Sequence, residues 1–192
     1  MNSAYLFLKR YLEDLPLNEN AVNDVLSCFK IKTYRRNHYY ALTGDVQDRL
    51  GFVVEGLFVM MVEKPGETAF VKNFLQPGDF LLAAFDPAMQ NVVNIRALRE
   101  SLVLETRHSD IRLLYDRYPD FRKLSERGMQ KRYQDICDRL EQMALQDAGG
   151  RYEIFKRTFG DLEDEIPQHM VAAYVGVTPT QLSRIRRKTQ IA

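Results

Sequence analysis

Tryptophan is absent from this chain, and only two of its 192 residues are cysteine and three are histidine. Cys28 and Cys137 lie far apart, which leaves no disulfide framework and too few thiolates for an iron–sulfur cluster. The histidines are scattered, so the clustered imidazole and carboxylate ligands of a metal enzyme are missing, and His38, His108 and Cys28 form no recognisable pair of haem ligands. Also missing are a nucleophile–base constellation and a glycine-rich phosphate loop. No apolar run approaches the ~18–20 residues of a membrane span, and the N-terminus has no apolar core followed by a cleavage site. The formal net charge is only +1, so the whole chain is not a polycation. What remains is the expectation of a soluble cytoplasmic protein without membrane contact, resident cofactor, metal or catalytic residue. With 45% apolar residues it can build one good core and a small second unit.

What is there concentrates in Ile166–Lys188, which reads as two short helices joined by a tight turn. Pro167 suits the first turn of a helix. Gly176 supplies the turn, where positive φ is needed. Thr178 caps a second helix that begins with Pro179. Val171, Ala172, Val175, Val177, Leu182 and Ile185 are spaced to bury one side of each helix against the other, with small Ala172 at the crossing. The opposite side carries Thr180, Gln181, Ser183, Arg184, Arg187 and Lys188, a basic, hydrogen-bonding surface of the kind a helix-turn-helix presents to DNA. Residues 149–192 hold seven Lys/Arg, four of them within Ser183–Lys188, so the charge is local. An ordinary helical hairpin with a solvated basic face is the alternative reading.

Upstream, residues 1–29 read as two helices broken at Leu15-Pro16, the second starting at Asn18 or Asn20. From Lys30 short strands follow, at 30–35, 39–42, 50–54, 57–62, 68–75, 92–98 and 102–106, with Gly and Pro turns roughly every ten residues. That pattern predicts an antiparallel roll or barrel. Ser109-Asp110 is a candidate cap for a short helix over Ile111–Tyr118. Pro119 opens the longest helical stretch, to about Ala148, and within it Met129, Tyr133, Ile136, Leu140 and Met143 are spaced 4, 3, 4, 3. This heptad seam suits a homodimer interface, against the alternative of a long helix lying unpartnered on the roll. Ala148-Gly149-Gly150 is the candidate hinge, and Glu163, Asp164 and Glu165 are read as an anionic helix start.

The turns Gly44-Asp45, Phe52-Val53-Val54-Glu55-Gly56, Pro77-Gly78-Asp79-Phe80 and Arg96-Ala97-Leu98, followed by Arg151-Tyr152 and Ile166-Pro167-Gln168 through Arg186, resemble the Crp/Fnr family of bacterial transcriptional regulators in order and spacing. The resemblance implies an α+β chain in three parts. Residues 1–118 would be a cyclic-nucleotide-binding-like β-roll (a jelly roll with flanking helices). Residues 119–148 would be a long dimerisation helix, and 149–192 a helix-turn-helix domain. It implies a homodimer on a two-fold symmetric promoter site in double-stranded DNA. Thr180, Gln181, Ser183 and Arg184 would then meet base edges or the groove, and Thr178, Arg187 and Lys188 the backbone. Gln168 and His169 are weaker phosphate candidates. RNA polymerase and an unidentified small-molecule effector are further partners the resemblance allows. The spacer Gly160–Glu165 is short for a hairpin and the chain given ends soon after the second helix, so a reduced or absent wing is expected.

Cyclic-AMP-binding members carry a glutamate for the ribose and an arginine for the phosphate after the Pro-Gly-Asp-Phe-like turn. By spacing, Ala83 and Asn91 stand at those positions here. The resemblance therefore implies no strong cyclic-nucleotide binding. Leu82, Ala83, Phe85, Met89 and Asn91 would line a pocket for an apolar or neutral effector, or simply fill the roll. Two other classes stay open: a sensor or binding module of the same fold that does not bind DNA, and a cupin-like metal enzyme.

Overall fold

A computed structural model describes residues 3–189 except 14, 64, 65, 67, 68 and 85, with the side chains of 124, 125, 131 and 189 also outside the description. Two helices, α1 (Ser3–Glu13) and α2 (Glu19–Cys28), precede eight strands. These are β1 (Lys30–Tyr34), β2 (Tyr39–Ala41), β3 (Leu50–Glu55), β4 (Phe58–Val62), β5 (Phe70–Leu75), β6 (Phe80–Leu81), β7 (Asn94–Ala97) and β8 (Ser101–Thr106). Then come α3 (His108–Arg117), α4 (Pro119–Leu145), α5 (Ala148–Phe159), a 3-10 helix (Gly160–Glu165), α6 (Gln168–Val175) and α7 (Pro179–Thr189).

The strands form two four-stranded antiparallel sheets, ordered β1-β8-β3-β6 and β2-β7-β4-β5. Strand alternation sorts their side chains into three layers. Tyr40, Val53, Phe58, Leu75, Leu81, Ile95 and Val103 point between the sheets and close the roll interior. Phe52 and Leu104 point outward from the first sheet and pack under α1, α2, α3 and Phe121 at the start of α4. Leu57, Val59, Met61, Val71 and Phe74 point outward from the second sheet and share one buried cluster with Tyr152, Phe155 and Phe159 of α5, Met170 to Val175 of α6, and Leu182 of α7. Phe74 is the centre of that layer. Its ring lies 5.5 Å from Phe159, 6.1 Å from Phe155 and 5.4 Å from Tyr174. The helical C-terminal segment is thus seated on the roll through a continuous aromatic core.

Asn18, not Asn20, caps α2, accepting from the Ala21 N–H at 2.9 Å. The two-residue strand β6 was not expected; it is too short to show alternation. Helix α3 starts earlier than the Ser109-Asp110 signal suggests: Arg107 is at its cap, and the Ser109 hydroxyl instead donates to Asp48 at 3.1 Å. The chain turns between α4 and α5 at Gln146-Asp147, not at the glycines. Asp147 caps α5 by accepting from Gly150 N–H, so Gly149 and Gly150 are its first turn. Among the described residues no helix is long and apolar enough to cross a membrane.

Candidate nucleic-acid interface

Helices α6 and α7 form the expected helix-turn-helix. Gly176 makes the turn at φ +75°, and its N–H and that of Val177 both reach back to the Ala172 carbonyl at 2.9 Å. The left-handed backbone alone favours glycine. A Cβ there would in addition sit 2.9 Å from the Met143 Cε of α4. The carbonyls that α6 leaves unpaired at its end are taken by cations, as the helix dipole favours. Arg151 Nε donates to Val175 O at 2.7 Å. Arg139 of α4 donates to Tyr174 O and stacks its guanidinium 4.0 Å from the Tyr174 ring centroid. Burial in that contact lowers the Arg139 pKa and raises that of the Tyr174 phenol.

At the start of α7, Thr178 and Gln181 satisfy each other in a capping box. The Gln181 N–H donates to Thr178 Oγ1 at 3.2 Å, and the Thr178 N–H donates to Gln181 Oε1 at 2.9 Å. Ser183 is held as well: its hydroxyl donates to Pro179 O and accepts from the Gln168 amide at 2.7 Å. Gln168 thereby ties the first turn of α6 to α7.

Arg186 is turned the other way. It donates through Nε (2.9 Å) and Nη2 (2.5 Å) to Glu163 Oε1, and Tyr152 donates to the same carboxylate at 2.9 Å. Partial burial pulls the Arg186 pKa down, but Glu163 and Tyr152 together offset this and the net shift is upward. Glu163 thus anchors α7 and does not start α6. Glu165 pairs with Arg99 at 2.9 Å. Nothing in residue spacing marks Glu163 as the partner of Arg186, 23 positions away; the bend of the 3-10 helix brings them together.

Four of the seven proposed DNA contacts are left open. Thr180, Arg184, Arg187 and Lys188 are exposed and make no hydrogen bond or ion pair among the described residues. They are spaced 0, 4, 7 and 8, which is one face of a helix. Thr178 and Gln181 are exposed but used in the cap, and Ser183 is half-buried. His169 is exposed beside Gln168.

The expected dimer seam is an uncovered stripe. Met129, Tyr133, Ile136 and Leu140 are 53–69% exposed on α4, and Met143, at 41%, reaches the Gly176 turn. Of the pocket residues, Ala83 and Asn91 lie near one another, the Val92 N–H donating to Ala83 O at 3.4 Å. Ala83 and Asn91 are buried, Leu82 is half-buried, Met89 is 59% exposed, and Phe85 lies outside the described residues. The Asn91 amide donates to Leu42 O at 3.0 Å, a structural bond between loops. Arg96 alternates with the inward-facing Ile95 and Ala97, so it lies on the outer side of its sheet, over the Tyr39 ring. Inside, Tyr34 donates to Glu105, and burial pushes both the Tyr34 and Tyr40 phenols well above their ordinary pKa. Two surface hollows, of about 430 and 110 Å³, are lined by residues of α2 with the α3–α4 corner, and by residues 156–162 with Gln76; neither includes a roll-interior residue. Among the described residues no three His, Cys, Asp or Glu side chains are grouped to hold a metal ion.

No family model and no curated protein sequence matches the chain. Solved structures do. FixK2 from Bradyrhizobium japonicum superposes with a TM-score of 0.78 at 13% identity, over 85% of each chain. The c-di-GMP-responsive global regulator CLP of Xanthomonas campestris gives 0.68 at 18% identity, over 91% of this chain and 92% of its own. A CooA variant from Carboxydothermus hydrogenoformans gives 0.68 at 12%, over 94% and 83%. The chain has the fold of the Crp/Fnr-type regulators.

Proposed function

We propose that this protein is a sequence-specific DNA-binding transcriptional regulator, not an enzyme, acting as a homodimer on a two-fold symmetric site. The observation that carries the reading is the open stripe Thr180, Arg184, Arg187, Lys188 on a helix held elsewhere through Leu182, Ser183 and Arg186. Thr180 and Arg184, nearest the helix start, face the bases; Arg184 can pair bidentately with guanine. Arg187 and Lys188 bind phosphate. Thr178, Gln181 and Ser183 reach the groove edge while holding the cap. The α4 stripe of Met129, Tyr133, Ile136, Leu140 and Met143 pairs with its copy and sets two α7 helices about one turn, ~34 Å, apart. RNA polymerase is the partner met at a promoter.

The roll does not take cyclic AMP in this reading. Ala83 offers no carboxylate, Asn91 no positive charge, and the interior is filled by its own side chains. An effector, if this regulator has one, binds elsewhere or is apolar. Titration calorimetry with cyclic AMP and cyclic GMP should give no heat of binding.

The reading is tested by selecting genomic DNA fragments with the purified protein at stated physiological salt. A two-fold motif should be enriched, and Arg184→Ala should weaken it by ~1–3 kcal/mol and relax the preference at one base pair of each half-site. Failure to enrich any two-fold motif, in the absence of a missing effector, would sink the proposal and favour a binding module of the same fold that does not touch DNA.

A further inference from the structure

The uncovered stripe of α4 does not end at Met129. Continued toward the N-terminus in the same alternation of three and four, it passes through Glu126 and Arg122. Both are exposed, and neither takes part in an ion pair among the described residues. Phe121, one position before Arg122, is buried in the layer beneath α1, α2 and α3, so α4 meets the roll by a different side. The face that is apolar from Met129 to Met143 thus opens, at its N-terminal end, on one cation and one anion.

The protomer offers these two charges little. They stand four residues apart, but with the cation N-terminal to the anion, the weaker order for a pair on a helix. Lys123, three residues before Glu126, is held by Asp120 at 2.7 Å. While the stripe is uncovered, water solvates both groups. Under an apolar helix that extended along the whole stripe, each would lose water without gaining a partner, which is a costly arrangement. The partner that fits must carry an anion against Arg122 and a cation against Glu126, and a second copy of this chain does so by symmetry. In heptad terms Met129, Ile136 and Met143 are d positions and Tyr133 and Leu140 are a positions, which makes Glu126 an a and Arg122 a d. In a parallel pair each a side chain inserts among four residues of the facing helix, one of them the d residue before it.

We infer that Arg122 and Glu126 make the stripe selective for a second copy of this chain. Glu126 of each helix meets Arg122 of the other, so two carboxylates and two guanidiniums alternate around the two-fold axis. The inference rests on the α4 stripe being the dimer seam. The apolar residues supply the attraction but do not discriminate among apolar helices. The charged layer adds the penalty against a wrong one.

The test is a charge exchange in the full-length protein, read by analytical ultracentrifugation at ~0.1 M salt, where charges in contact are not fully screened. Arg122→Glu gathers four carboxylates in the layer and Glu126→Arg four guanidiniums, and each should raise the dimer dissociation constant by ~10–100-fold. Mixed together, the two single variants should pair with one another at least as tightly as the wild type pairs with itself, since each supplies the charge the other lacks. That recovery also reports that both variants are folded. Single variants that dimerise like the wild type, or that fail to recover on mixing, overturn the inference. If they do so while Ile136→Asp with Leu140→Asp still dissociates the dimer, the seam stands and ends at Met129. If neither set of substitutions affects the dimer, the interface lies on another surface and both readings fall.

Discussion

Helices α6 and α4 both carry an apolar face, and the chain treats the two in opposite ways. The face of α6 is finished from within: Met170, Val171, Tyr174 and Val175 are buried against α5 and the outer side of the β4–β5 sheet. The face of α4 is left bare, with Tyr133 and Leu140 each about two-thirds exposed. An isolated exposed apolar residue is ordinary, but a stripe at heptad spacing on a 27-residue helix is not. The difference separates the apolar surface that the chain covers by itself from the apolar surface it leaves in solvent. The two faces also meet. Met143, the last seam residue, lies against the Gly176 turn, and Arg139, four residues before it, stacks on Tyr174. The exposed stripe of α4 is therefore mechanically close to the turn that places α7.

The strongest way to break the comparison is to remove the roll's share of the covered face. Phe74 is fully buried, belongs to β5, and contacts three rings of α5 and α6. Phe74→Ala should cost ~3–5 kcal/mol. Amide hydrogen exchange should show α6 and α7 losing protection together with β4 and β5. If only the strands loosen, the helix-turn-helix has a core of its own and the shared layer is no more than a contact.

Charging the bare face should have the opposite signature. Ile136→Asp with Leu140→Asp should raise the dimer dissociation constant by at least ~100-fold, because four carboxylates would be buried unpaired at the seam. The fold of the protomer should barely respond, within ~0.5 kcal/mol, since these positions are already in solvent. Analytical ultracentrifugation reads the first effect and thermal denaturation the second. A dimer that persists would place the interface on another surface.

How much of this was legible beforehand depended on how local each signal was. The Gly176 turn, the Thr178 cap and the 4, 3, 4, 3 seam are written within a few residues, and each was read from its own neighbourhood. The strands were legible from alternation, except β6, whose two residues cannot alternate. The glycines at 149–150 were misread as a hinge because Asp147, an ordinary helix cap, outweighed their flexibility. What spacing could not reveal was long-range pairing. Glu163 with Arg186, Arg99 with Glu165 and Phe74 with Tyr174 each depend on the fold bringing distant positions together. Burial within the expected pocket was equally illegible from spacing. Met89 and Asn91 are near neighbours in sequence, yet one faces solvent and the other is buried.

The division between finished and open surfaces recurs on α7 at the scale of single side chains, and there it makes its finest prediction. Thr178, Gln181, Ser183 and Arg186 are engaged within the protomer, whereas Thr180, Arg184, Arg187 and Lys188 are open. Gln181 is the informative case, because an exposed glutamine on a recognition helix invites assignment as a base reader. If the capping box is its main role, Gln181→Ala should destabilise the helix start by about 1 kcal/mol or less. Thr178→Ala should do much the same, and the double variant should lose less than the sum, since both remove one reciprocal pair. DNA affinity would then weaken slightly and evenly across variants of the site, with the base preference intact. Relaxed preference at a single base pair, with helix stability unchanged, would move Gln181 across the line from a finished surface to an open one.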